Sequence, residues 1–188
     1  MTGFDYASLK SVGTDVVISP NAEIRRPDMV SIGSHVAIDT AYITTAAGIA
    51  DYVHVGPYVT VIGGPKARLT MGHFTNLAAG ARVICGSDRF MGDGLIGPAS
   101  IPDAYKDKMK LAPVVLEDFA NVGTNAVIMP GVTLAQGSVI GAGSLVTHST
   151  EPWTVYVGVP AWPLKARPRE QMLRYAAEMG YVIAAKQK

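Results

Sequence analysis

The sequence contains a single cysteine, Cys85, so no internal disulfide can brace the chain. A lone thiol points to a reducing compartment, and a cytoplasmic location is expected. Charge is scarce: 16 % of residues are charged, and sixteen basic against fifteen acidic side chains leave a net charge of +1. That balance offers no electrostatic footprint for DNA, RNA or an anionic membrane. Long apolar runs are lacking, so no segment suits a membrane span. The opening residues, MTGFDY, carry neither the basic nor the apolar region of a secretory signal. Aromatic residues make up only 7 %. What the chain has in quantity is Gly, Ala and Val. Hydrophobic residues reach 48 % and mean hydropathy is +0.23, which excludes a disordered chain. At 188 residues one domain is expected, over 1–188, with a core built from small and β-branched side chains.

A repeat explains that composition. Aliphatic residues fall at Leu116, Val122, Ile128, Leu134, Ile140 and Val146, six apart without a break. The same register recurs from Val12, from Ile32, from Ile49 and from Met71, giving seventeen units in all. The fifth position of each unit is the independent test. Fourteen of the seventeen carry Ser, Thr, Ala or Val there, although those types fill only 68 of 188 positions. Alternating strands of an ordinary all-β domain predict period two and no small-residue rule. A period of six predicts a parallel β-helix, with three units to a triangular coil and coils stacked at about 4.8 Å. Inside such a narrow prism the aliphatic and the small residue share the space. Gly, Asn and Asp are expected at the corners, and large aromatics are unnecessary in the core. The count gives about six coils between residues 12 and 150, interrupted by four slips in register.

Residues 89–112 break the repeat and read as a long excursion loop, a kind of segment that is usually functional. A loosely ordered insertion is the other reading. After Thr150 the stretch EPWTVYVGVPAWPLKARP reads as an extended exit strand. A short helix is expected over Arg169–Met179, with Met172, Ala176 and Met179 on one side, Pro168 in its first turn and Gly180 at its end.

The segment VGTNAVIMPGVTLAQGSVIGAGSLVTHSTEPWTVYVGVPAWPLKAR resembles the last two coils and the V-G-x-P-A exit of the hexapeptide-repeat acyltransferases. The start of the excursion loop, SDRF, and the GVPA tail are most similar to bacterial sugar O- and N-acetyltransferases of that family. The resemblance implies an all-β fold, a left-handed parallel β-helix with a long excursion loop and a short C-terminal helix. It implies a homotrimer with active sites between subunits, and acetyl-CoA or a related acyl-CoA as co-substrate, with no metal. The acceptor it implies is an amine or hydroxyl of a sugar or nucleotide-sugar, as in the building of surface polysaccharides.

Direct acyl transfer needs a general base, and histidine is tuned for that near neutral pH. Of His35, His54, His73 and His148, only His54 holds the sixth position of its unit, which projects outward from the flat of a strand. Its column reads Val17, Ala37, His54, Asn76, Asn121, Val139, three hydrogen-bonding side chains flanked by apolar ones. His54 is the expected catalytic base, with Asn76 and Asn121 beside the acceptor; an interface histidine of purely structural role is the alternative. Asp88 opens the excursion loop, where it either orients a neighbouring subunit's His54, receives an acceptor's ammonium, or turns the chain. Arg89 and Lys66 suit a substrate phosphate or plain solvation. Cys85 has no basic partner that would mark it as a nucleophile. The resemblance places the CoA arm along backbone groups near Gly123, Gly141 and Ala142. Lys165 and Arg167 could reach the CoA phosphates or solvate the exit strand.

Two other functions fit the same fold class. A γ-class carbonic anhydrase-like centre needs three converging histidines. His35, His54 and His73 are nineteen apart but occupy different positions of their units, so they do not stack. A non-catalytic β-helix scaffold is the second, opposed by the polar column, the excursion loop and the intact tail.

Overall fold

Strands of two to four residues, three to a coil, leave a prism whose inside is only as wide as one aliphatic side chain. The computed structural model describes residues 3–186; Met1, Thr2, Gln187 and Lys188, the extremes of the unit expected over 1–188, lie outside the described residues. The chain builds the expected left-handed parallel β-helix. Inward aliphatics stack rung on rung as the repeat requires. On the first face the column is Val12, Ile32, Ile49, Met71, Leu116, Leu134. On the second it is Ile18, Ile38, Val55, Leu77, Val122, Ile140, Tyr156. On the third it is Ile24, Ile43, Val61, Val83, Ile128, Val146. The slip after Ile38 is a one-residue deletion, so Ile43 takes the inward place. Six coils are complete, and the second face gains a seventh parallel rung from Thr154–Val157. Fifth-position residues such as Ala120, Ser138 and Ser144 are wholly buried beside the aliphatics.

Corners on the edge between the first and second faces differ from expectation. Bulky residues occupy them in the left-handed region: His35, Tyr52, Phe74, Phe119 and Trp153 all have φ between +50 and +63. Such a conformation costs of order 1–3 kcal/mol for a large side chain. Two interactions offset it. Each of the upper four donates its N–H to a carbonyl one coil below, as Phe119 does to His73 at 2.8 Å and Trp153 to Gln136 at 2.8 Å. Their rings also stack into a ladder, with centroids 4.5, 5.2, 5.3 and 5.7 Å apart from His35 to Trp153. Ring pairs of this kind contribute roughly 0.5–1.5 kcal/mol beyond area burial. Tyr52, Phe74, Phe119 and Trp153 thus line the outside of one edge, away from the core.

The chain leaves the prism as an antiparallel ribbon, Gly86–Asp88 against Met109–Leu111. The excursion between them is organised by the buried Asp107, whose carboxylate accepts from the N–H groups of Phe90 and Lys108 at 2.9 Å each. The exit is a hairpin and not a single strand: Thr154–Val157 continues the second face, and Trp162–Ala166 turns back antiparallel against it. Gly158, with φ +105, supplies the reversal that an extended reading of GVPA misses. Helix α1 (Glu170–Glu178) packs Met172, Leu173 and Ala176 against Phe119 and Trp153. Pro168 precedes its first turn. Gly180, φ +90, ends it: Tyr181 N–H donates to Ala176 O at 2.8 Å and Gly180 N–H to Ala177 O at 3.0 Å.

With no room to collapse, the prism core should be intolerant of truncation. Leu77→Ala, at a fully buried mid-stack rung, should cost about 2–5 kcal/mol by denaturant unfolding. Val17→Ala, at an outward position 64 % exposed, should cost far less.

Candidate active site

His54 begins a two-residue strand on the second face, and rung pairing fixes its neighbours. Ala37 lies one coil below, Asn76 one above and Asn121 the next above that. The outward column expected from the repeat is therefore present. His54 Nε2 is 3.0 Å from Asp39 Oδ2, both side chains about half exposed. A carboxylate can only accept, so a neutral ring in this contact carries its proton on Nε2 and leaves the Nδ1 lone pair for an incoming donor. Among the described residues nothing engages Nδ1 or the Asn76 amide. Beside them lies an open basin of about 420 Å³, floored by Val53 and Thr75 and walled by Tyr52 and Phe74.

Asp39 was not among the residues that the sequence singles out. It directly follows the inward Ile38, one coil below His54. The signal was an acidic residue diagonal to the histidine in the stacked register, which a column read straight up the stack passes over.

The other histidines have structural duties. His73 Nδ1 accepts the Asp51 backbone N–H at 3.2 Å, and the backbone N–H of His73 donates to Asp118 Oδ1 at 2.8 Å. These contacts belong to a ladder of side-chain caps along the first corner, in which Ser34 N–H donates to Asp51 Oδ1 at 2.7 Å and Thr14 N–H to Ser34 Oγ at 3.1 Å. Gly72 is required there, because a Cβ would stand 2.5 Å from Asp118 Oδ1. The Ser34 N–H, the Tyr181 hydroxyl at 2.8 Å and His73 hold the Asp51 carboxyl below its usual range, against the effect of burial. The same bond pushes the Tyr181 phenol up to about 12. His35 meets Asp15 at 2.9 Å, and His148 meets its neighbour Thr147. Among the described residues no group of three His, Cys, Asp or Glu could hold a metal ion.

Asp88 and Arg89 lie elsewhere. They line a separate cavity of about 470 Å³ with Lys110 and Thr147, where the excursion ribbon leaves the third face, and Arg89 is 3.6 Å from Asp93. One chain does not bring Asp88 to His54. Lys66 is exposed in the slip loop after Val61. Asn121 is half-buried and donates to Phe119 O at 2.7 Å, so it faces helix α1 more than the open basin. Gly123 and Gly141 form the corner between the second and third faces of the upper coils. Both are demanded by close approach: a Cβ on Gly123 would stand 2.6 Å from Ala142 N, and one on Gly141 2.8 Å from Val157 Cγ1. Ala142 is exposed, and its N–H pairs with none of the described residues. Lys165 is exposed on the exit hairpin. Arg167 is partly buried between the exit hairpin and the prism. Its Nη1 donates to Phe119 O at 2.8 Å and Gly137 O at 2.9 Å, and burial lowers its pKa.

No family model matches the chain. It is 30 % identical over 165 residues to the dTDP-4-amino-4,6-dideoxy-D-glucose acyltransferase of Escherichia coli, covering 86 % of this chain and 84 % of that one. It superposes with a TM-score of 0.86 on AntD, an N-acyltransferase from Bacillus cereus, solved with dTDP-4-amino-4,6-dideoxyglucose and coenzyme A. That match is 33 % identical and covers 92 % of this chain and 91 % of AntD, which has also been solved with dTDP and 3-hydroxybutyryl-CoA. A hexapeptide-repeat acetyltransferase of Vibrio cholerae complexed with acetyl-CoA matches at TM-score 0.55 and 21 % identity, over 86 % of this chain and 73 % of its own, a likeness of fold.

The single thiol stands apart from all these groups. Cys85 is fully buried at the root of the excursion ribbon, and burial pushes its pKa up to about 11. The native thiol should therefore stay unreactive toward a thiol reagent at pH 8 and become titratable only on unfolding. Fast stoichiometric labelling of the native protein would contradict this burial.

Proposed function

This chain belongs to the hexapeptide-repeat, left-handed β-helix acyltransferases and uses an acyl-CoA as co-substrate; we propose that it acylates the free amine of a nucleotide-linked amino sugar. The observation that carries this reading is the likeness to AntD at 33 % identity over more than nine-tenths of both chains. Acetyl-CoA is the smallest donor the reading admits.

His54 is the general base of the proposal. Asp39 holds the ring with its proton on Nε2, and Nδ1 takes a proton from the attacking amine as the new C–N bond forms. The tetrahedral intermediate collapses with loss of the C–S bond, and the departing CoA sulfur receives the proton from Nδ1. Amide, CoASH and neutral His54 result, so no covalent acyl-enzyme is required. Asn76, one rung above, holds the acceptor. The backbone N–H of Ala142, at the corner formed by Gly123 and Gly141, suits an amide of the pantetheine arm, and the exposed Lys165 a CoA phosphate. Asp88 and Arg89 of a neighbouring subunit's excursion ribbon complete the acceptor site in a homotrimer. Two apolar exposed surfaces support that assembly: Phe90, Met91 and Leu95 on the excursion, and Val159, Trp162 and Leu164 on the exit hairpin. The product would feed a glycan-building transferase in the cytoplasm.

Thiol release from acyl-CoA in the presence of dTDP-4-amino-4,6-dideoxyglucose tests the reading. Turnover is expected with it or a related nucleotide-amino sugar, and silence across the series would overturn the proposed acceptor. His54→Asn should lose roughly 10²–10⁴ in kcat with CoA affinity retained, and Asp39→Asn should lose less. Near-normal turnover by His54→Asn would remove His54 from the mechanism. Light scattering should return three times the 19.8 kDa chain mass; a monomer would contradict the shared site.

A further inference from the structure

A second cavity, of about 290 Å³, lies beneath helix α1 and has no part in the mechanism above. Its walls are Phe74, Phe119, Met172, Ala176 and Met179, with Asn121, Arg167 and the half-exposed Tyr175 as its polar members. Phe74 also walls the basin beside His54, so the two spaces share a boundary. Asn121, at the cavity edge, is the residue directly above Asn76 in the outward column. Two of the three polar side chains are tied to backbone carbonyls: Asn121 Nδ2 to Phe119 O, and Arg167 Nη1 to Phe119 O and Gly137 O. The lining is thus mainly apolar, poorly suited to a phosphate or a sugar ring. It opens one strand spacing, about 4.8 Å, above the acceptor-facing asparagine.

We propose that this cavity takes the acyl chain of the donor, and that Ala176 and Met172 of helix α1 set its length. The inference rests on the acyl-CoA reading and deepens it. With the thioester carbon at the His54–Asn76 rungs, an acetyl methyl stops short of the cavity. A chain of about four carbons spans the strand spacing and enters it. Ala176 is the small residue of the roof, buried against Phe119 and Trp153, so a larger side chain there projects into the space. Met172, half-buried, is the flexible one.

The test is a donor series from acetyl- to hexanoyl-CoA, read both as kcat/KM and as affinity by calorimetry. Each methylene that enters the cavity should improve the wild-type enzyme about fourfold. In Ala176→Leu the butyryl-to-acetyl ratio should fall to near one, with thermal unfolding checked to show that the helix still docks. Met172→Ala, which enlarges the space, should move the optimum to a longer chain. A wild-type profile flat across the series, or an unchanged ratio in both folded variants, overturns the inference. If no donor of any length yields turnover, the proposed acceptor fails instead. The difference in affinity between butyryl- and acetyl-CoA then still decides the role of this cavity.

Discussion

A prism three short strands around can hold one aliphatic and one small side chain per rung, and that volume limit governs the rest of the molecule. It imposes the period of six, since a unit must supply an inward pair and then turn. It also removes the interior as a place for chemistry, because polar groups there would lose water with little to replace it. Function is therefore left to the outward sixth position, the corners and the segments that leave the stack. His54 uses the first of these, the ring ladder the second, and the excursion ribbon and helix α1 the third.

Rigid stacking places outward groups as firmly as inward ones. His54, Asn76 and Asn121 are held in one line because Val55, Leu77 and Val122 beside them are locked in the core. A two-residue strand needs no local propensity to keep such a side chain in position. Its register comes from the coils above and below. Asp39 meets His54 on the same terms, through a neighbouring coil and not through nearby sequence.

This arrangement explains what could be read from the chain alone. The period, the inward columns and the outward line through His54 follow from counting by six, because each is a property of the strand positions. The parts that escaped are those set by diagonal or non-repeating contacts. Asp39 sits one coil away and one residue over. Phe74, Phe119 and Trp153 hold corner positions where composition favours Gly or Asn, and their mutual stacking together with N–H bonds to the coil below makes those conformations tolerable. Arg167 reads as a free cation until the exit hairpin brings it against the carbonyls of Phe119 and Gly137. Gly158, at the turn of that hairpin, is a local signal for the reversal.

The bond between Tyr181 and Asp51 joins residues 130 apart in sequence. A stack in which each coil touches only its neighbours would otherwise unzip from either end, one layer at a time. By reaching back from beyond the last rung to the third coil, Tyr181 clasps the upper coils into a closed ring of contacts that must open together. Gln136 and Lys186 reinforce the clasp: Lys186 N–H donates to Gln136 Oε1 at 2.7 Å, and Lys186 Nζ meets Glu117. The two lowest coils stay outside it, which makes them the natural starting point for fraying, while the layers bearing His54 and Asn76 share the fate of the whole.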